Sequence, residues 1–452
     1  MTYDAIIIGG GLAGLSAAVD LSAKGCSVLL LEQAPHLGGR VYSFIDSTTG
    51  DRVDNGQHLL MGCYHATRRF LHEIGSAHLA VLQPQLRIDY LGPDEETALL
   101  KCTALPSPFN LLSGLLRLQS LSIRERGNLL RVGIALQKPP DIVEPLLREM
   151  TVEEWLMQLG QSELARSRFW NIVAIGALNN DPATASALLF YRVLRAVFSG
   201  DSSNASLMIP AVGLSELFST PALHTLRNHN AQVLMGTRVS QFRTEGRKIV
   251  GVQCADGSVF RARTVIAAIP PASLQKLLQT SGLASLPLFN TLQSFQASSI
   301  LGINLWFDRE VMQQEFVALL ESPIHWIFNK TRISRHGSLV PQHLALVISA
   351  ADEYMGMEKQ QILSLVTDEL KRYLPLSRGA NLVQSIVIKA KRATFLQTPA
   401  VESLRPQAAT PISNLFLAGD WMDTGYPATI EGAVLSGVTA AQLVIKSVPV
   451  VN

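Results

Sequence analysis

The sequence predicts an α/β fold in which a discontinuous Rossmann-like domain carries an inserted α+β domain. Three observations lead there. The first 32 residues read as strand, glycine turn, helix and strand. The stretch 401–452 holds another buried-strand pattern, Leu415 to Ala418, followed by a glycine-punctuated helix from Ile430 to about Lys446. Between these ends lie two long stretches of different character, 76–204 and 286–400.

Taken in order, Ala5 to Ile8 is a short apolar run, the length of a buried parallel strand. Leu12 to Ala23 has helical spacing, Gly25 ends it, and Ser27 to Leu31 is a second buried strand. That is one βαβ unit. Residues 76–204 are rich in Leu, Arg and helical patterns, with prolines at 106, 108, 139 and 140. Strand character returns over Gln232 to Phe242 and Ile249 to Cys254. Asp256-Gly257, between Val252 and Val259, reads as a hairpin turn. Thr264 to Ile269 is a further buried strand, closed by Pro270-Pro271. The second insertion mixes strands, Ile300 to Phe307 and Leu344 to Ser349, with a helix over Lys359 to Tyr373. The expected division is a cofactor domain of 1–75, 205–285 and 401–452, and a substrate domain of 76–204 and 286–400.

Composition narrows the function classes. Apolar residues make up 47% and charged residues 16% of 452, against about 25% charged in a typical soluble chain. The surplus apolar surface needs a large core, an apolar pocket or a membrane-facing patch. Net charge is +2 with no basic run, which argues against nucleic acid as a partner. Cys26, Cys63, Cys102 and Cys254 form no C-x-x-C pair and no zinc spacing, so reduced thiols and no metal site are expected. The first residues run straight into a strand without a basic n-region, and no segment reaches the roughly 18 apolar residues of a spanning helix. The expectation is a cytoplasmic protein that at most rests on the inner face of the membrane.

The chemistry begins at Gly9-Gly10-Gly11-Leu12-Ala13-Gly14, a G-x-G-x-x-G between strand and helix. Gly9 permits the tight turn, Gly11 lets the backbone approach a pyrophosphate, and Gly14 lets helix pack on strand. The helix start offers free N–H groups, and Leu12 and Ala13 open that helix. Glu32, at the end of the second strand, can accept from ribose hydroxyls. Gly38 and Gly39 let the chain run beneath a cofactor, and Arg40 can meet a phosphate. Gly419-Asp420 closes the last strand, where an acid can bond a ribityl chain. The single dinucleotide motif leaves NAD and FAD open; these further residues favour FAD.

Together with Glu431-Gly432-Ala433, the set resembles the amine oxidase/phytoene desaturase flavoproteins. That resemblance implies a Rossmann-like FAD-binding domain with an α+β substrate domain. It implies that the backbone of Val239 meets the adenine, and that Thr429, Ile430 and Glu431 lie beside the isoalloxazine ring. A narrower match, Val53-Asp54-Asn55-Gly56-Gln57-His58 with Gly62-Cys63-Tyr64, resembles the squalene-associated branch. It implies that Asn55, Gly56, Gln57 and His58 sit at the flavin. It also implies removal of an allylic hydroxyl from hydroxysqualene, by reduced FAD, to give squalene for hopanoid-type triterpenoid synthesis.

Three alternatives stand beside this. Amine oxidases of the family carry a lysine near flavin N5 and an aromatic residue two positions before Glu-Gly-Ala. Here Ser299 to Phe307 has no lysine, and Thr429 holds the second position. Carotenoid-type desaturation needs the same fold, flavin and isoprenoid lipid substrate, and differs only in the direction of hydride flow. A flavoprotein that merely carries a lipid is the third. A reductive reaction would draw on an external electron donor, because the chain shows no second dinucleotide unit.

For the acid that protonates the departing hydroxyl, His58 comes first, since imidazole can hold a proton near neutral pH. The competing reading has His58 bonding backbone or flavin. Tyr426 is the second candidate, with simple packing as its alternative. Asp54 is read as a brace. The leucines of Phe109 to Ser122, with Arg117, Arg124, Arg126 and Arg131 in or after them, fit either an interfacial helix on anionic lipid or a buried core helix.

Overall fold

A computed structural model describes residues 2–246 and 248–447. The end of the expected cofactor segment, 448–452, lies outside the described residues. Two seven-stranded sheets organise the chain. The first joins the ends: Thr2–Ile8 pairs in parallel with Val28–Leu31 on one side and with Val259–Ala267 on the other, and Leu415–Leu417 adds beyond Val259–Ala267. Both faces are covered, which explains the unbroken apolar runs. Ala5 and Ile7 pack into one cluster with the helices Leu12–Ala23 and Ile430–Ser447. Ile6 and Ile8 pack into another with Leu274, Leu277 and Leu278 of the helix Pro271–Thr280.

The helix Ile430–Ser447 seats directly on Leu12–Ala23. A Cβ at Gly437 would lie 2.1 Å from Ala13 O and from Ser16 Oγ, so only glycine admits this approach. Ser16 Oγ donates to Val434 O at 3.0 Å. The two ends of the polypeptide thus share one core.

Gln232 to Phe242 is not one strand. Gly236, with φ +67°, breaks it, and its N–H donates to Ala34 O. Gln232–Leu234 extends the sheet beside Val28–Leu31, whereas Val239–Glu245 forms the opposite edge, paired with Lys248–Cys254.

The second sheet runs in the order Leu382–Phe395, Ala297–Phe307, Gln342–Ser349, Trp326–Asn329, Phe316–Leu319, Arg87–Leu91, Thr97–Lys101. Its last two strands come from the stretch read as helical. They join through the parallel pair Asp89↔Val317. The helix Lys359–Tyr373 covers one face over Leu301, Ile303 and Leu305. A helical layer from 109–198 covers the other.

Phe109 to Ser122 is also not one helix. The helix Phe109–Leu115 stops, and Ile123–Gln137 restarts from a capping box between Ser122 and Glu125. Leu111, Leu115, Leu118 and Leu121 are buried in the helical core, while Phe109 and Leu116 are exposed.

Candidate active site

Gly9 takes φ +105°, and a Cβ there would stand 2.3 Å from Ala268 O. At Gly14 a Cβ would stand 1.9 Å from Gly9 O. Both positions therefore demand glycine for the packing of turn, helix and neighbouring strand. Gly11 differs: a Cβ there meets nothing within 4 Å, so the chain itself does not need a glycine. No side chain caps the helix that starts after it, and its first turn holds no acid. A cradle with an open face and uncapped N–H groups suits a pyrophosphate.

Glu32 is buried beside that turn. Its Oε2 accepts from Gly10 N at 2.6 Å and its Oε1 from Ala34 N at 2.7 Å, which leaves lone pairs on both oxygens. Thr237 N donates to Glu32 O, bringing the approach to Val239 alongside. Gly38 N donates to Gly10 O, and a Cβ on Gly39 would come within 3.1 Å of Gly11 Cα. The Gly38-Gly39 segment thus lies against the phosphate turn. Arg40 reaches across to the other end of the chain: Nη2 bonds Asp420 Oδ1 at 2.6 Å and Nη1 bonds Ala393 O at 2.6 Å. Its side chain remains 46% accessible despite these bonds, so a cleft open to solvent lies beside it. His58 and Tyr64 are partly buried. The donor set fits a bound FAD: uncapped amides and Arg40 for phosphates, Glu32 for ribose.

The Asn55 to His58 loop runs along the cleft. Asn55 Nδ2 donates to Arg40 O at 3.2 Å. Opposite, the strand Ala297–Phe307 passes with Gly302, where a Cβ would be 3.9 Å from Asn55 O. No lysine occurs in that strand. Leu59, Met61, Val173, Ala177, Ile300 and Trp326, all partly buried, line the helical core behind it.

His58 makes the backbone bond of its competing reading. Its Nδ1 lies 2.7 Å from the Gly56 carbonyl, which can only accept, so Nδ1 carries the proton and Nε2 the lone pair. Burial, with Arg40 nearby, pulls its pKa below the usual imidazole value despite the opposing Gly56 bond and Asp54 charge. At pH 7 it is a neutral acceptor.

Glu431 does not turn its carboxylate to the cleft. Oε1 accepts from Ala66 N at 2.9 Å, and Oε2 from Thr67 N at 2.8 Å and Thr67 Oγ1 at 2.7 Å. It serves as the missing cap of the helix His65–Glu73, whose own flank supplies none. Thr429 Oγ1 accepts from Gly432 N and donates to Pro427 O. Burial, then the charges of Glu431 and Cys63, push the half-buried Tyr426 phenol up to about 12. Burial likewise raises Tyr64, which feels Tyr426. The hydroxyls of Tyr64 and Tyr426 thus cluster near Glu431.

Three residues escaped sequence reasoning. Tyr64 carried the signal of its Gly-Cys-Tyr motif but no role. Lys330 is buried, with Nζ 3.0 Å from Asp54 Oδ2 and 2.8 Å from Gln57 Oε1. Arg405 is buried and bonds the carbonyls of Asp420 and Met422. Nothing in one sequence separates these two cations from surface ones. Asp54 braces as expected: Oδ1 accepts from Ser43 Oγ and Leu214 N. Two surface clefts, of about 600 and 720 Å³, lie away from this site, over Lys101 and Arg117 and over Arg68, Arg69 and His72.

Residues 12–445 match the family model described as flavin containing amine oxidoreductase. A hydroxysqualene dehydroxylase of Rhodopseudomonas palustris is 28% identical over 445 residues, covering 98% of each chain. A 15-cis-phytoene desaturase of Synechococcus elongatus is 24% identical, covering 97% of this chain and 95% of its own. An oxidoreductase from Methanosarcina mazei superposes with a TM-score of 0.73 at 16% identity, over 97% of this chain and 99% of that one.

Proposed function

The chain belongs to the flavin-containing amine oxidoreductase family and is an FAD-dependent oxidoreductase, and from that premise we propose that it reductively dehydroxylates hydroxysqualene to squalene. The observation that carries this reading is the wall opposite the Asn55 to His58 loop. It is the strand Ala297–Phe307, which meets that loop at Gly302, carries no lysine and holds Ile300, an apolar side chain partly buried against the helical core as Trp326 is. Such a wall suits a long hydrocarbon. Full-length similarity to hydroxysqualene dehydroxylases supports the same choice.

The reaction replaces C–OH with C–H and releases water, taking up one proton and one hydride. Reduced FAD, when bound, supplies the hydride. The protein supplies orientation, a dry cavity and the proton. The apolar wall aligns the chain and excludes water. The Tyr426 hydroxyl, with Tyr64 beside it, donates to the departing oxygen. A phenol at about 12 is still a stronger acid than water at roughly 15.7, so transfer to a leaving hydroxide runs downhill. His58 stays neutral and accepts a hydrogen bond at Nε2.

Electrons come from an external donor. The substrate arrives from a membrane: Leu105, Phe109, Leu116 and Ile123 are exposed beside Lys101, Arg117, Arg124 and Arg126, an apolar and basic surface for anionic lipid. Among the described residues no helix is long and apolar enough to cross a bilayer.

Anaerobic incubation of the reduced holoprotein with hydroxysqualene tests the proposal. Flavin reoxidation with equimolar squalene is the expected result. Reduction of the oxidised flavin by phytoene, with no squalene from hydroxysqualene, would show a desaturase instead. Inert flavin in both arms would show a lipid carrier.

A further inference from the structure

A hairpin of the strands Ser43–Ile45 and Arg52–Asp54 projects from the cofactor side onto the substrate sheet. It carries three carboxylates, Asp46, Asp51 and Asp54, each at most 8% exposed. Donors from the substrate sheet and its loops meet all three. Gln384 Nε2 lies 3.4 Å from Asp46 Oδ1. Trp306 Nε1 and Ser338 Oγ each donate to Asp51 Oδ2 at 2.6 Å. Lys330 pairs with Asp54, the side chains being 7% and 3% exposed.

Lys330 differs from the other donors in its second bond. Its Nζ holds Gln57 Oε1 at 2.8 Å, and Gln57 adjoins His58 in the cleft loop. One ammonium, carried just past the strand Trp326–Asn329, therefore grips both the end of the hairpin and the middle of the Asn55 to His58 loop. A buried ion pair contributes little to stability over an apolar pair of similar shape, so stability alone does not account for it. A neutral, shorter side chain would leave Gln57 untethered and Asp54 charged without a partner.

We propose that Lys330 is a positioning residue that locks the Asn55 to His58 loop in register with the substrate sheet. The backbone of the loop is then held in fixed register with the strand at Gly302. The inference rests on the reading of this loop as part of the FAD site.

The test compares K330M, K330R and the double variant D54N/K330M in the full chain. The double variant removes the orphaned carboxylate and keeps the comparison informative where K330M fails to fold. Amide exchange of the 54–58 peptide is read with and without FAD, alongside FAD affinity and steady-state turnover of hydroxysqualene. We expect the double variant to exchange about tenfold faster over this peptide while the rest of the chain keeps wild-type protection. We expect kcat to fall about 100-fold, as for a roughly 1 Å misplacement, with KM within about twofold. K330R should recover a substantial part of both. Wild-type exchange in the double variant, or wild-type kcat, would overturn the proposal. Failure of the wild-type chain to bind FAD would instead remove the site reading beneath it. The exchange arm needs no substrate, so it decides the matter whichever lipid the protein takes.

Discussion

Gly11 and Gly14 belong to one motif but have different physical reasons for being glycine, and replacing each with alanine separates them. At Gly14 the new methyl would stand 1.9 Å from Gly9 O, a backbone atom that cannot swing away. Relief to ordinary contact requires helix and strand to part by more than 1 Å at this point. Overpacking of this kind costs about 1–3 kcal/mol, offset by about 1 kcal/mol of helix propensity. At Gly11 the methyl would meet no protein atom within 4 Å, and the backbone there, at φ −72° and ψ 178°, is open to any residue. The apoprotein should therefore ignore Gly11→Ala, within about 2 °C in Tm. FAD should not ignore it. The methyl stands where the backbone must approach the pyrophosphate, and losing one or two charge-assisted bonds there costs about 1.5–3 kcal/mol each. A rise in Kd of at least about tenfold follows, and about 100-fold is expected. The assay is thermal unfolding of the FAD-stripped protein, followed by FAD titration. A Gly11→Ala apoprotein that melts several degrees low, or that binds FAD as wild type does, would refute the reasoning.

Glu431→Ala should destabilise the apoprotein by about 2–4 kcal/mol in denaturant titration, because the Ala66 and Thr67 amides and the Thr67 hydroxyl lose their acceptor. Glu431→Gln should cost less, since it keeps one acceptor oxygen. His325 has its pKa lowered to about 4 by burial, so the folded state disfavours its protonation. Its contribution is present above about 6.5 and is lost as pH falls from there toward 4. His325→Gln should therefore flatten the stability profile near pH 5 by up to about 1.4 kcal/mol per pH unit, the equivalent of one proton; an unchanged slope would contradict this. Tyr426→Phe should lower kcat on hydroxysqualene by about 10²–10⁴-fold while FAD affinity stays within about twofold, as expected of a proton donor. The same change in Tyr64 should do less, and turnover unaffected by both would remove the hydroxyl cluster from the mechanism.

The cofactor end of this protein is legible because its determinants are local. Glycines at fixed offsets, a strand of four or five apolar residues and a helix period suffice to place Gly9 to Gly14, Glu32 and the helix Leu12–Ala23. The helix Lys359–Tyr373 is legible for the same reason. What depends on partners distant in sequence is not. Gln232–Leu234 and Val239–Glu245 look like one strand until Gly236 sends them to opposite edges of the sheet. Arg87–Leu91 and Thr97–Lys101 form a local hairpin inside the helical stretch, but only the parallel pairing with Phe316–Leu319, more than 200 residues on, brings it into the second sheet. Glu431 looks like a flavin contact because of its motif, yet its carboxylate caps a helix 364 residues away. Lys330 has no local signature, since its burial depends on Asp54, 276 residues earlier. The surroundings of His58 are equally hidden, because its burial and its bond to the Gly56 carbonyl depend on how the loop packs.

The most direct test follows a single turnover with labelled flavin. Holoprotein reduced in D2O, so that the exchangeable flavin N5 position carries deuterium, is mixed anaerobically with hydroxysqualene in the same D2O buffer, and the squalene formed is examined by mass spectrometry. Flavin reoxidation matched one to one by squalene, with deuterium at the carbon that lost the hydroxyl, is the expected result. A flavin that stays reduced while hydroxysqualene is recovered intact would contradict it.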